Sequence, residues 1–205
     1  MIAIVDYGAG NLLSVKKALD FIGAESVITA SANEIKNADG VILPGVGSFG
    51  NAMESMHESG LVEAVRSVAQ SGRPFLGICL GLQLLFESSE ESPGVEGLGV
   101  LKGKILKIPS DNLKVPHMGW NSLKFKKSTP LFEGISDGAY VYFVHSYYLS
   151  AENISDVSST TEYGVTIHAS VANGNLFATQ FHPEKSGDVG LQMLRNFVSL
   201  CGGDN

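Results

Sequence analysis

The sequence predicts an α/β fold: a mostly parallel, helix-flanked sheet in the first half and antiparallel strands in the second, in one domain over 1–205. Two patterns point there. Short apolar runs alternate with segments of helical periodicity up to about residue 87, which is the signature of parallel strands joined by helices. Beyond residue 100 the pattern changes to alternation, aromatic runs and an Asn173-Gly174 turn, which reads as antiparallel strands. Composition is the third observation. The chain is 44% hydrophobic and 17% charged, which excludes a disordered, coiled-coil or collagen-like chain. A chain of this length hides roughly 70% of its unfolded surface and needs no staples.

The elements follow in order. Ile2 to Asp6 is a short buried strand, broken by Gly8-Ala9-Gly10-Asn11. Leu12, Leu13, Val15, Leu19 and Ile22 keep helical spacing, and Gly23 ends that helix. Ser26 to Thr29 and Gly40 to Leu43 are the next strands, the latter closed by Pro44-Gly45. Met53, Met56, Leu61, Val65 and Val68 mark helical material. Pro74 to Ile78 is a fourth strand, and Leu80 to Glu87 its following helix. In the second half, Val100 to Ile108 and Trp120 to Lys127 alternate, and Tyr140 to Leu149 is an aromatic strand expected to be mostly core. Val165 to Ala172 and Leu176 to Phe181 flank the Asn-Gly turn, and a last helix runs from about Val189 to Leu200.

Lysine and arginine number 14 against 21 acidic residues, a net charge of −7. Such a chain makes a poor non-specific binder of nucleic acid or membrane surfaces. Two cysteines, Cys79 and Cys201, allow at most one disulfide. Met1 to Asp6 has no charged region followed by a long apolar core, so no signal peptide is expected. The densest apolar stretch, Phe75 to Phe86, is too short to span a bilayer. A cytoplasmic protein without membrane or nucleic-acid partners is expected.

The sharpest motif is Gly77-Ile78-Cys79-Leu80-Gly81-Leu82-Gln83, placed where a buried strand turns into a helix. Gly-x-Cys-x-Gly is the thiol counterpart of the nucleophile elbow: the flanking glycines allow backbone segments to approach where side chains would clash. Alone it fits a structural cysteine between turn glycines equally well. A thiol nucleophile needs a base, and His182 in Gln180-Phe181-His182-Pro183-Glu184 has the best context of the five histidines. It sits at a strand end, and Pro183 disfavours a helical His182. Residues 182 and 184 share a side if the backbone stays extended, so Glu184 can orient the imidazole. A turn histidine after an edge strand is the plainer reading of that segment alone. Pro44-Gly45-Val46-Gly47-Ser48-Phe49-Gly50 can offer oxyanion donors beside the elbow, together with the N–H of Leu80.

Gly45, Gly47 and Gly50 also match the dinucleotide fingerprint, with Glu63 near the ribose-acid distance. The match follows the third strand rather than the first, and Glu63 lies in helical sequence, so nucleotide binding is disfavoured. Cysteines and histidines lack zinc spacing, and neither metal nor cofactor is expected. Pro116-His117-Met118-Gly119-Trp120-Asn121 holds the lone tryptophan, either a core aromatic or an interface anchor. His145-Ser146-Tyr147 could line a cleft, and Lys124 to Lys127 is most simply a solvated strand end.

Gly-x-Cys-x-Gly-x-Gln with Phe-His-Pro-Glu near the C-terminus resembles the class I glutamine amidotransferases, whose fold is flavodoxin-like. Asp6 to Asn11, Pro44 to Gly47 and, most discriminating, Pro116 to Asn121 resemble the glutaminase subunits of imidazole glycerol phosphate synthases of histidine biosynthesis. The resemblance runs from about Ile2 to Leu200 and leaves no room for a fused synthase domain. It implies that Cys79 attacks glutamine, His182 moves the proton and Glu184 orients His182. Gln83, Glu91, Ser146 and Tyr147 would hold the substrate's amino-acid end. Gly45, Val46, Gly47 and Leu80 would supply oxyanion donors, with Gly45 and Gly47 easing a loop rotation. The resemblance further implies a heterodimer with a cyclase subunit that receives the ammonia. His117, Met118, Gly119, Trp120, Asn121, Tyr142 and Lys185 are expected to face it.

Three other readings compete. One is a glutaminase subunit for anthranilate, aminodeoxychorismate or pyridoxal phosphate synthesis, against which Pro116 to Asn121 argues. Another is a stand-alone thiol hydrolase of γ-glutamyl bonds. The third is a scaffold subunit with a dead site, against which the complete Cys79, His182 and Glu184 set argues.

Overall fold

The computed structural model describes residues 1–110 and 113–202. Its first strands are β1 (Ile2–Val5), β2 (Ser26–Thr29), β3 (Gly40–Gly45) and β4 (Phe75–Cys79), separated by α1 (Leu12–Phe21), α2 (Ala32–Asn37), α3 (Phe49–Glu58) and α4 (Val62–Gln70). A short α5 (Leu80–Leu84) follows the elbow. Then come β5 (Ser88–Ser89), β6 (Gly103–Lys107), β7 (His117–Ser122), β8 (Lys124–Phe125), β9 (Tyr140–His145), β10 (Tyr147–Ala151), β11 (Val157–Glu162), β12 (Thr166–Asn173), β13 (Leu176–Thr179) and α6 (Gly187–Cys201).

The main sheet has the order β2-β1-β3-β4-β13-β12-β11-β8. It is parallel from β2 to β13 and antiparallel from β13 to β8. Strand alternation divides its side chains between two cores. Ile2, Ile4, Ile42, Leu76 and Ile78 pack with Val15 and Leu19 of α1 and Met193, Leu194 and Phe197 of α6. Ala3, Val5, Val41, Leu43 and Phe75 pack on the other side with Ile35, Met53, Met56, Val65 and Val68 of α2, α3 and α4. Each fully buried side chain of this kind contributes about 1.5–3 kcal/mol. Burial on both faces explains why these strands are continuous apolar runs.

Several expectations are corrected. The helix expected over Leu80 to Glu87 stops at Leu84. The helical material from Met53 to Val68 is two helices, divided at Gly60, which has φ +69°. The aromatic run Tyr140 to Leu149 is two strands in different sheets. β9 pairs antiparallel with β7, and β10 pairs with β6. Ser146 is the break between them. The run is also less buried than expected, since Tyr140 is exposed and Tyr142, Val144 and Tyr148 are half-buried. The Trp120 to Lys127 strand is likewise divided between β7 and β8. The second half is not wholly antiparallel, because β13 returns to pair in parallel with β4, Thr179 opposite Ile78.

Besides the two-residue β5, two elements have no counterpart in the sequence reading. One is α2, capped by Ser31, which accepts from the Glu34 N–H at 3.3 Å. The other is β11, where Ser158 to Thr161 are buried. Its hydroxyls find partners. Ser158 Oγ and Ser159 Oγ lie 2.7 and 2.6 Å from Ser170 Oγ, and Thr161 Oγ1 donates to the Ser122 carbonyl at 2.8 Å. A polar strand tolerates burial only because these bonds replace water.

Candidate active site

Cys79 closes β4 and caps α5 with φ +55° and ψ −108°. Among the described residues it is the one non-glycine at positive φ. A side chain avoids this region unless its surroundings enforce it, and such strain marks functional turns. The surroundings are visible in the glycines. A Cβ on Gly81 would stand 1.8 Å from the Leu43 carbonyl oxygen, and one on Gly77 would stand 2.8 Å from the Gly81 carbonyl oxygen. The elbow therefore presses against β3 and its own helix, and only hydrogens fit at positions 77 and 81.

His182 leaves the neighbouring parallel strand, β13, on the same sheet end. Ligand crevices form there in α/β sheets. The turn after it is held by β9: the Tyr142 carbonyl accepts from the His182 N–H at 3.0 Å, and the Tyr142 N–H donates to Ser186 Oγ at 3.0 Å. Ser186 Oγ donates back to the His182 carbonyl at 2.6 Å. His182 Nδ1 lies 2.7 Å from Glu184 Oε1, both side chains almost fully buried. The expected pairing is present, but not by an extended backbone. His182 is extended, while Pro183–Lys185 forms a 3-10 turn with Pro183 at its start. The turn brings residue 184 back under the ring.

His182 Nε2 is buried with no hydrogen-bond partner and lines the same cleft as Cys79. Burial disfavours a charged imidazole, but the nearby Cys79 sulfur and the Glu184 carboxylate outweigh it and hold His182 up at about 9. Cys79 Sγ has two weak partners, the Val144 carbonyl at 3.9 Å and Gln180 Nε2, which donates at 3.8 Å.

The cleft encloses about 390 Å³, within the range of small-molecule sites. Val46, Gly47, Leu80, Gln83, Glu91, Ser146, Tyr147 and Lys185 line it with the cysteine and histidine. Gln83 Nε2 donates to the Tyr147 carbonyl and to Gln180 Oε1, both at 3.0 Å. Both amide hydrogens are thus engaged, and the Gln83 carbonyl oxygen is left to accept from a ligand. Glu91 Oε2 accepts from the Phe49 N–H at 2.8 Å, which ties the cleft wall to the start of α3.

Gly45 departs from expectation. It does not line the cleft and is not at positive φ. A Cβ there would meet Tyr7 Oη at 2.6 Å and Leu80 Cβ at 2.8 Å. Close packing, not freedom to rotate, requires glycine there. Tyr7 Oη donates to the Pro44 carbonyl at 3.1 Å and pins that side of the loop. Gly47, at φ +96° with open space around it, is the one of the pair whose backbone conformation calls for glycine. Gly50 lies in the first turn of α3, whereas Glu63 lies in the first turn of α4, paired with Arg66, and not at a strand end where a ribose-binding acid would stand.

The segment 117–121 does not all face outward. β7 alternates, so Met118 and Trp120 are 62% and 55% exposed, whereas His117 is 3% exposed. His117 stacks between Phe143 and Tyr163 and cannot touch a partner directly. Asn121 is turned inward, donating to the Glu162 carbonyl at 3.0 Å. Trp120 packs edge-on against Tyr142, its partner across β7 and β9. Lys185 is exposed at the cleft rim.

Sequence reasoning missed Gln180, fully buried and in contact with the Cys79 sulfur. Its signal was available: residues 180 and 182 share one side of an extended segment. Among the described residues no group of three or more acidic, histidine or cysteine side chains could hold a metal ion. No helix there is long and apolar enough to cross a membrane.

Comparison with known proteins agrees with this geometry. The family model "Glutamine amidotransferase class-I" matches residues 3–201. Proteins named imidazole glycerol phosphate synthase subunit HisH are close relatives. The one from Caldanaerobacter subterraneus is 51% identical over 98% of each chain. That of Moorella thermoacetica is 53% identical over 97% of this chain and 94% of its own. The one from Methanosarcina acetivorans is 52% identical over 98% of each. Among solved structures, a glutamine amidotransferase superposes with a TM-score of 0.76 at 20% identity, over 98% of this chain and 100% of that one. PurLQS from Thermotoga maritima gives 0.76 at 21%, over 97% of each chain. The structural likenesses show the fold. The chain belongs to the class I glutamine amidotransferase family, and within it closely resembles the HisH subunits of imidazole glycerol phosphate synthase.

Proposed function

We propose that this chain is the glutaminase subunit of an imidazole glycerol phosphate synthase, acting in histidine biosynthesis in the cytoplasm. The observation that carries the chemistry is a strained Cys79 sharing a cleft with the unpartnered Nε2 of a carboxylate-held His182. The near-full-length identity to HisH subunits supports the pathway.

In this reading the Cys79 sulfur attacks the carboxamide carbon of glutamine, with the proton held on His182. The carbonyl π electrons move to oxygen, where backbone N–H groups of Leu80 and of the Val46–Gly47 loop would stabilise them. Collapse breaks the C–N bond, and His182 Nε2 gives its proton to the leaving nitrogen, which departs as ammonia. Water then adds to the γ-glutamyl thioester, His182 takes its proton, and the C–S bond breaks to give glutamate and free enzyme. Glu184 keeps Nδ1 protonated throughout, so that Nε2 is the nitrogen that exchanges protons. The free Gln83 carbonyl oxygen and Glu91 suit the substrate's α-ammonium group. Ammonia passes to a cyclase subunit, which makes imidazole glycerol phosphate and an aminoimidazole carboxamide ribotide. Met118, Trp120, Tyr142 and Lys185 would meet that subunit.

The test is glutamate release from glutamine by the purified chain, alone and with the cyclase subunit and its nucleotide ligand. Low activity alone and a large rise with both is the expected result. High activity alone without response would point to an independent hydrolase.

A further inference from the structure

Two buried histidines next to the cleft have no part in the chemistry above. His145 lines the cleft and is 6% exposed, and His117, behind it, is 3% exposed. Their ring nitrogens form one connected chain. His145 Nδ1 lies 2.9 Å from the Tyr147 carbonyl oxygen, His145 Nε2 lies 2.9 Å from His117 Nδ1, and His117 Nε2 lies 3.3 Å from Asn121 Nδ2.

The ends of this chain dictate every proton in it. A carbonyl only accepts, so His145 Nδ1 carries the hydrogen. In a neutral ring Nε2 is then bare and must accept from His117 Nδ1. His117 Nε2 is bare in turn and accepts from the Asn121 amide. Burial keeps both rings neutral, lowering His117 to about 4 and His145 to about 3. The Tyr147 carbonyl at the inner end is the same one that receives Gln83 Nε2, and Gln83 reaches Cys79 Sγ through Gln180. The path is unbroken from β7, whose alternate residues Met118 and Trp120 face outward, to the nucleophile.

We propose that His117 and His145 are a tautomer-locked pair of positioning residues that fixes the Tyr147 carbonyl, and through it Gln83, for glutamine binding. This rests on the glutaminase reading of the cleft. Without a donor at position 117, His145 Nε2 is a buried acceptor with no partner, and the ring keeps only its bond to the Tyr147 carbonyl. Held at one end instead of two, the ring turns to satisfy Nε2, and the Tyr147 carbonyl shifts with it.

The test uses three chains, each with the cyclase subunit and its nucleotide ligand. His117→Phe keeps the stack on Phe143 and Tyr163 and removes the donor. His117→Asn keeps a side-chain N–H where Nδ1 stands. We expect KM for glutamine to rise about tenfold in His117→Phe, as for loss of a buried hydrogen bond, with kcat changed less than about threefold, and to return toward wild type in His117→Asn. Nitrogen-15 spectra of the histidine rings should show both His117 and His145 protonated at Nδ1 in wild type, and the His145 Nδ1 proton should exchange with water faster in His117→Phe. Wild-type rings protonated at Nε2, or an unchanged KM in His117→Phe, would overturn the proposal. A wild-type complex that releases no glutamate would overturn the glutaminase reading and the binding role with it, while the ring spectra would still decide the tautomers.

Discussion

Replacing Glu184 by glutamine tests the orienting carboxylate with almost no change in volume. His182 is held up from 6.5 to about 9 against the cost of burial, which corresponds to roughly 3 kcal/mol in favour of the imidazolium. The Cys79 sulfur is the larger contributor and Glu184 the second. Loss of the carboxylate charge therefore removes on the order of 1 kcal/mol of that support, about tenfold in proton affinity. Geometry adds to this. At 2.7 Å from Nδ1, a glutamine amide can turn its N–H toward the ring and reverse the tautomer, a change that costs up to about 10⁴ in a serine-protease triad. We expect kcat/KM for glutamine to fall at least about tenfold, measured as glutamate release with the cyclase subunit and its ligand present.

The same substitution has a signature in stability. A group whose folded value lies above its unfolded value stabilises the fold below the unfolded value, and loses that contribution as pH rises through the folded one. For His182 the window runs from about pH 6.5 to about pH 9. Urea unfolding at the two ends should show wild type losing up to about 3 kcal/mol from this group, and Glu184→Gln losing about 1 kcal/mol less. A variant with wild-type kcat/KM, or with the wild-type pH slope, would refute the assignment of Glu184 as the partner that charges and orients His182.

Three further outcomes are expected. Gly81→Ala forces a methyl to within 1.8 Å of the Leu43 carbonyl, and should lower the unfolding free energy in urea by about 3 kcal/mol or more. Trp120→Ala removes a ring that is 55% exposed; the urea midpoint should hold while the dissociation constant for the cyclase subunit rises at least about tenfold, as for an interface anchor. Alkylation at pH 8 should modify Cys79 and spare Cys201, whose thiol burial pushes up to about 12; mass spectrometry of the peptides distinguishes the two.

The sequence patterns were legible where one force acted alone. β1, β3 and β4 are buried on both faces, so hydrophobicity by itself marks them. β11 was silent because its burial is sustained by hydroxyl bonds to Ser170 Oγ and to the Ser122 carbonyl, and Val-Ser-Ser-Thr-Thr-Glu carries no apolar alternation. α2 did carry a signal, Ser31 three residues before Glu34, which is a capping pair. The Tyr140 to Leu149 run reads as one strand because nothing in its composition reports that Ser146 sends the chain from one sheet to another. At the site, Cys79, His182 and Glu184 were readable from local motifs, since each motif bends its own backbone. Gln180 carried only the signal of sharing a side with His182, and the His117–His145 pairing carried none, because its partners lie 28 residues apart. Gly45 shows the opposite error. Its motif suggested conformational freedom, whereas its surroundings demand a missing side chain.

The topology explains why these distant parts meet. Parallel neighbours cannot be joined by a tight turn and need a long crossover. Cys79 ends β4 and His182 follows β13, and these strands are parallel neighbours with Ile78 opposite Thr179. The connection between them is the whole stretch from α5 to β12, and it holds β7, β9 and the start of β10. β9 fixes His182 through the Tyr142 carbonyl, and the chain just beyond it delivers the Tyr147 carbonyl to Gln83. β7 is bonded along the full length of β9, His117 opposite His145 and Trp120 opposite Tyr142. The exposed Met118–Trp120 edge is therefore joined to both halves of the site through one antiparallel pair: to His182 through residue 142, and to Gln83 through residues 145 and 147.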